Sequence, residues 1–303
     1  MIFTDICIIG AGPVGLFAVF EAGLLKMRCH LIDALPEVGG QLTEIYPRKP
    51  IYDIPGAPGI IAEDLIKNLL AQIEEFEPSY TLGERVDGLT KTEDGHYIVE
   101  TNYHTKVHCK VVVLAAGLGS FEPRKPVVEN LARFEGKGVE YMVKNPEKFR
   151  DKNVVLAGGG DSALDWALYL SDVAKQVTLV HRGETFRGAP DSASKIMDMA
   201  SQGRINLLLN SQVHRLGGNG VLKEIDIADN KKAFTKLDTD YFIPLFGLSP
   251  KLGPIATWGL GVDKSAVTVN TLDYSTNIER IYAIGDINTY AGELKLILCG
   301  FYE

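Results

Sequence analysis

Two groups of residues in this chain have the types and spacing to hold phosphate. The first is Gly10-Ala11-Gly12-Pro13-Val14-Gly15, followed by an acid, Asp33, 23 positions after Gly10. In a dinucleotide fingerprint Gly10 permits a tight turn, Gly12 lets a pyrophosphate approach backbone N–H groups, and Gly15 lets a helix pack closely on its strand. A carboxylate at the Asp33 position accepts hydrogen bonds from a ribose 2′-OH. The second group is Gly158-Gly159-Gly160-Asp161-Ser162-Ala163, with Ala163 in the third glycine's place and His181-Arg182 where the acid would stand. An acid there repels a 2′-phosphate, whereas Arg182 and Arg187 can clamp one by charge-assisted hydrogen bonds, so the second ligand is expected to be NADPH. Solvated surface arginines are the plain alternative.

The flanking sequence supplies the elements such turns require. Ile6-Cys7-Ile8-Ile9 is a continuous apolar run suited to a buried parallel strand, Leu16 to Leu25 reads as a buried helix, and Cys29 to Ile32 as the next strand, ending at Asp33. The second unit repeats the order: a strand over Asn153 to Ala157, a helix over Leu164 to Ser171 and a strand over Val177 to Val180. Val111 to Gly117 and Ile281 to Asp286 are two further apolar runs that end in small residues, where backbone can approach a ligand. Ile61 to Phe76 has helical periodicity. Tyr80 to Val107 reads as an antiparallel meander turning at Asp94-Gly95, and Val221 to Asp240 as another.

Two nucleotide sites make one a donor and the other an acceptor. An Asp33-type site at the N-terminus with a late Gly285-Asp286 strand end suits a tightly held FAD, Asp286 lying by the ribityl chain or pyrophosphate. Alternatively, Asp286 serves as a helix N-cap. The expected fold is α/β, with two Rossmann-like dinucleotide-binding domains, each a three-layer ββα arrangement. Residues 119–246 carry 18 Lys+Arg and 17 Asp+Glu against 13 and 22 in the rest, within an overall charge of −8. This shift suggests that an NADP(H)-binding domain, 119–246, is inserted into a discontinuous FAD-binding domain, 1–118 and 247–303.

Composition narrows the class. No apolar run reaches the ~18 residues of a spanning helix, and Met1-Ile2-Phe3-Thr4-Asp5 lacks the basic region of a signal peptide, so a cytoplasmic chain without a membrane is expected. The negative charge argues against nucleic acid as partner. Cys7, Cys29, Cys109 and Cys299 form no Cys-x-x-Cys pair, and the six histidines show no metal or Ser/His/Asp constellation.

Gly10-x-Gly12-x-x-Gly15, Gly39-Gly40-Gln41-Leu42-x-x-x-Tyr46-Pro47, Gly158 to Ala163, His181-Arg182-Gly183-x-x-Phe186-Arg187 and Ile284-Gly285-Asp286 together resemble the low-molecular-weight thioredoxin reductase family. Disulfide-bearing members carry Cys-x-x-Cys near the stretch that is Tyr141 to Phe149 here, which has no thiol. With the run Gly292 to Ile297, the chain is similar to the thioredoxin reductase-like ferredoxin-NADP reductases, which lack those cysteines.

The resemblance implies that Asp33, Gln41, Tyr46, Val86, Phe121 and Asp286 contact FAD, with Tyr46 against the isoalloxazine. It implies hydride transfer from NADPH to flavin N5, then single-electron transfers to ferredoxin or flavodoxin, with no catalytic side chain, in a homodimer whose domains rotate about crossings near Gly119 and Gly247. The family's pattern runs past Glu303, through a segment that covers the second flavin face, and Gly183 stands where many relatives have a second arginine. Lys144, Lys148, Arg150 and Lys152 are expected to offer a basic surface to an acidic partner, or to be a solvated face. A flavoprotein reductase of a quinone, free flavin or other small acceptor shares every motif, and a non-catalytic FAD/NADPH redox sensor is the reading from another class. A monooxygenase is disfavoured because no substrate domain is apparent.

Overall fold

The computed structural model describes residues 1–119, 122–249 and 251–303. The chain divides into two compact units, Met1–Phe121 with Pro250–Glu303, and Glu122–Ser249.

In the first unit five parallel strands lie in the order Ile281–Ala283, Val111–Leu114, Ile6–Ile9, Cys29–Asp33, Ser79–Leu82. Alternation along Ile6–Ile9 sends its side chains to two cores. Ile6 and Ile8 join Leu16, Val19, Leu65, Ile66 and Leu69 of the helices Pro13–Leu24 and Ala62–Ile73. Cys7 and Ile9 join Val86, Tyr97, Val99 and Val107 of an antiparallel meander, Val86–Lys91, Tyr97–Thr101 and Lys106–Cys109. The result is helix, parallel sheet and meander in three layers, the α/β architecture expected.

The second unit repeats the plan with four parallel strands, ordered Ile205–Leu208, Gln176–Val180, Asn153–Ala157, Tyr241–Pro244. Val155 and Ala157 pack against Leu216, Ile225 and Ile227 of the meander Ser211–Gly217, Glu224–Asp229, Phe234–Asp238.

Two readings of the sequence need correction. Ser79–Leu82 pairs in parallel with Cys29–Asp33 and extends the main sheet instead of opening the meander. A short alternating run is equally compatible with a sheet edge, and the register from His30↔Ser79 to Asp33↔Leu82 decides it. The second meander begins at Ser211, ten residues earlier than read, because Val221 lies in the turn between its first two strands. Among the described residues no helix is long and apolar enough to cross a membrane.

Candidate nucleotide sites

The two glycine turns are built from the same bonds. Gly10 N–H donates to Ile32 O at 2.8 Å and Leu16 N–H to Gly12 O at 2.9 Å; Gly158 N–H donates to Val180 O at 3.1 Å and Leu164 N–H to Gly160 O at 3.2 Å. The strand beside each turn closes alike, Ala115 N–H on Ile9 O and Leu245 N–H on Ala157 O, both at 2.8 Å.

Space around the turns explains their composition. A Cβ on Gly10 would lie 2.3 Å from Ala115 O, and φ is +113° there, so a side chain is excluded twice. A Cβ on Gly15 would meet Gly10 O at 2.1 Å, while one on Gly158 would meet Ala163 Cβ at 2.7 Å and Leu245 O at 2.8 Å. The second glycines differ in kind: a Cβ on Gly160 would have nothing within 4 Å, and one on Gly12 only Gly40 Cα at 4.0 Å. Both are the N-cap of a helix, of Pro13–Leu24 and Asp161–Leu170, and neither end has a side-chain cap. First-turn N–H groups are thereby left for an anion, with the positive end of the helix dipole behind them.

The residues after each turn differ in charge. Asp33 Oδ2 accepts Ala11 N–H at 2.7 Å and Oδ1 accepts Leu35 N–H at 2.9 Å. Burial raises this carboxyl above its ordinary range, against the pull of those N–H groups. Each oxygen keeps acceptor capacity for a hydroxyl. His181 occupies the matching place in the second unit, 9% exposed, with its ring 2.1 Å from where a Cβ on Gly159 would lie. Its Nε2–H donates to Thr185 O at 2.9 Å, and the ring packs on Phe186 at 5.1 Å. The imidazole therefore braces the loop beneath the turn.

That loop is fastened to the turn by backbone, Arg187 N–H donating to Gly159 O at 2.7 Å and Gly188 N–H at 3.2 Å. Arg182 and Arg187 are exposed, and neither has a carboxylate partner among the described residues. Asp161 is committed to Ala189 N–H at 2.7 Å, and Ser162 is exposed at the helix start.

Around the first turn the structure gathers residues distant in sequence. Gly39 N–H donates to Ala11 O at 2.8 Å and brings Gln41 beside the turn. Gln41 Nε2 donates to Asp286 Oδ2 at 3.4 Å and lies 3.5 Å from a Cβ placed on Gly117. Tyr46 packs against the helix-side core, with Lys49 Nζ 5.6 Å from its ring centre. Burial first, then Asp286 and Asp53, push the Tyr46 hydroxyl up to about 12, so it stays a donor at any physiological pH. Asp286 is no N-cap; it sits within the single turn Gly285–Ile287, whose N-cap is Ile284. Val86 is a core residue, 5% exposed, and Phe121 lies outside the described residues.

The Asp286 turn has supports that sequence reading missed. Glu303 Oε2 accepts Gly285 N–H at 2.5 Å and Asn288 Nδ2–H at 2.7 Å, while Oε1 accepts the Tyr290 hydroxyl at 2.9 Å. Lys295 Nζ donates to Asp286 O at 3.0 Å and Asn288 O at 2.7 Å. The run Gly292 to Ile297 was the only signal, and it gave no role for Lys295.

Two further groups gain detail. The Cys7 and Cys109 thiols are in hydrogen-bond contact although far apart in sequence, and this contact, with burial, raises Cys7. Both are fully buried, Cys29 is pushed up to about 12 chiefly by burial, and Cys299 is half-buried, so among them no thiol pair is open to a protein disulfide. The basic stretch is partly neutralised, with Lys148 on Glu140 at 2.5 Å and Arg150 on Glu147 at 2.6 Å.

Residues 4–299 match the pyridine nucleotide-disulphide oxidoreductase family. A Flavobacterium johnsoniae protein named ferredoxin–NADP reductase is 59% identical over 100% of this chain and 87% of its own length. A Bradyrhizobium sp. protein of the same name is 48% identical over 99% and 88%. Among solved structures, thioredoxin reductases from Lactococcus lactis and T. acidophilum superpose with TM-scores of 0.85 and 0.86. They cover 99% and 100% of this chain, and it covers 94% and 95% of theirs, at 22% and 23% identity, a likeness of fold. The chain belongs to the pyridine nucleotide-disulphide oxidoreductase family and, within it, groups with the ferredoxin–NADP reductases.

Proposed function

We propose that this protein is an FAD-dependent ferredoxin–NADP reductase, moving electrons between NADPH and ferredoxin or flavodoxin. The observation that carries this reading is the contrast between two turns of the same build, one backed by the Asp33 carboxylate and the other by the exposed Arg182 and Arg187. Relatives about 60% identical over the full chain bear that enzyme name.

The residues of the first unit fit FAD. Gly10, Gly12, Pro13 and Gly15 present the open, uncapped turn for the pyrophosphate, and Asp33 retains lone pairs for a ribose hydroxyl. Gln41 and Asp286 place an amide and a carboxylate together for polar edges, and Tyr46 offers an aromatic face. Val86 lies in the core behind the parallel sheet, and its contact with FAD is part of the proposal. In the second unit Gly158, Gly160, Ser162 and Ala163 form the turn for NADPH, and Arg182 and Arg187 supply charge for its 2′-phosphate. Asp161 and His181 hold the surrounding loop in place.

A flavin, when bound, supplies the chemistry that joins a two-electron donor to one-electron acceptors. The side chains bind and orient, and Tyr46 keeps its proton. Anaerobic titration of the yellow protein with NADPH and NADH, followed by ferredoxin or thioredoxin, tests this reading. Bleaching by NADPH at lower concentration than NADH, with reoxidation by ferredoxin but not thioredoxin, is expected; reoxidation by a quinone or free flavin alone would favour the small-acceptor reading. A cytoplasmic homodimer is part of the proposal, from family likeness, and light scattering of the purified protein tests the assembly.

A further inference from the structure

The outer face of the first unit's meander carries a group of residues unconnected with either nucleotide turn. Alternation sends Tyr97, Val99, Val107 and Cys109 into the core and leaves His96 and His108 on the opposite face. The register pairs Tyr97 with Cys109 and Ile98 with His108, which makes His96 and His108 diagonal neighbours, their ring centres 5.3 Å apart. Asp94, at the hairpin tip, completes the group, and one ligand atom from each of the three lies within 4.8 Å of the others.

Within this group one buried nitrogen is left without a partner. His96 Nδ1 is 2.9 Å from Asp94 Oδ2, yet it is buried and makes no hydrogen bond. In the tautomer that carries its proton on Nε2, His96 Nδ1 presents a lone pair beside the Asp94 carboxylate, and the two together can ligate a cation. Asp94 Oδ1 is already taken by the Thr92 hydroxyl and His96 N–H, which holds Oδ2 toward the imidazoles. Phe3 packs on His108 at 5.4 Å and restrains its ring. Nearby cations are themselves paired, Lys106 with Glu100 and Lys110 with Asp5, while Arg280 reaches Gly95 O and pairs with Glu279.

We propose that Asp94, His96 and His108 form a binding site for a divalent transition cation of the zinc class, which would tie the hairpin tip to the strand Lys106–Cys109. Two imidazoles and one carboxylate, with water in a fourth position on this solvent-facing side, are a donor set that zinc accepts. The role is structural, since no residue of either nucleotide turn takes part.

The test uses the flavin-loaded full chain after removal of metals with a chelator, titrated calorimetrically with zinc chloride, with cobalt(II) chloride absorption as a second probe. One cation per chain and a melting temperature raised by about 2–5 °C are expected. The double variant His96→Ala/His108→Ala should lose at least about tenfold in zinc affinity, with NADPH turnover unchanged. No saturable uptake by the wild-type chain, or equal uptake by the double variant, overturns the proposal. Should that variant fail to fold, Asp94→Asn at the exposed tip replaces it, and unaltered zinc affinity there overturns it equally.

Discussion

Gln41 and Asp286 meet through a hydrogen bond from Nε2 to Oδ2 at 3.4 Å, across 245 positions of sequence. One follows the Gly39-Gly40 segment fastened to Ala11, and the other lies in the Gly285–Ile287 turn held by Glu303 and Lys295. The surroundings of the first glycine turn are thereby built from segments far apart in the sequence.

Asp286→Ala should weaken FAD binding by about 10- to 100-fold, the size of one or two lost hydrogen bonds to a charged group. Flavin fluorescence on dilution measures the release. Equal FAD retention by wild type and variant would remove Asp286 from the site.

Arg182→Ala and Arg187→Ala should each raise the KM for NADPH by about 10-fold or more and leave that for NADH nearly unchanged, because only the former carries a 2′-phosphate. Steady-state kinetics with both nucleotides decides. An equal rise for both would show that the arginines bind parts common to the two.

The glycines separate folding from binding. Gly10→Ala puts a methyl against Ala115 O in a left-handed backbone, and soluble protein should be lost. Gly160→Ala has open space around it, so the variant should fold with a melting temperature within about 2 °C of wild type. It should nonetheless bind NADPH more weakly, since its methyl stands where a phosphate would approach.

These turns were legible in the sequence because their chemistry is local: strand, glycines, helix and Asp33 fall within one short stretch, and the second copy repeats it. Gln41 was placed at the flavin by family resemblance and Asp286 by its strand end as well, but their mutual contact was not foreseen, since no local pattern reports contact across the chain. Cys7 and Cys109 meet because of how the meander stacks on the parallel sheet, which neither strand's composition records. Asp94 and His96 looked ordinary until strand register brought His108 beside them. His181 read as a ligand contact by its place after the strand, and its bracing of the loop through Thr185 O beside Gly159 was not legible there.

His30 links the parallel sheet's edge to pH. It is 1% exposed, with Nδ1 at 2.7 Å from the Ser79 hydroxyl and Nε2 at 2.9 Å from that of Thr81, so the neutral ring is satisfied on both sides. Burial lowers its pKa from the ordinary 6.5. A histidine whose folded value is depressed contributes stability that is present above the unfolded value and lost as pH falls through the folded one. Unfolding by urea should accordingly become easier as pH drops below about 6.5, and His30→Gln, which keeps a polar side chain but cannot gain a proton there, should flatten that dependence. Urea midpoints measured from pH 8 to pH 5 for both proteins give the comparison. Parallel curves would assign the acid sensitivity to other groups and leave His30 a pH-independent bridge between the strands Cys29–Asp33 and Ser79–Leu82.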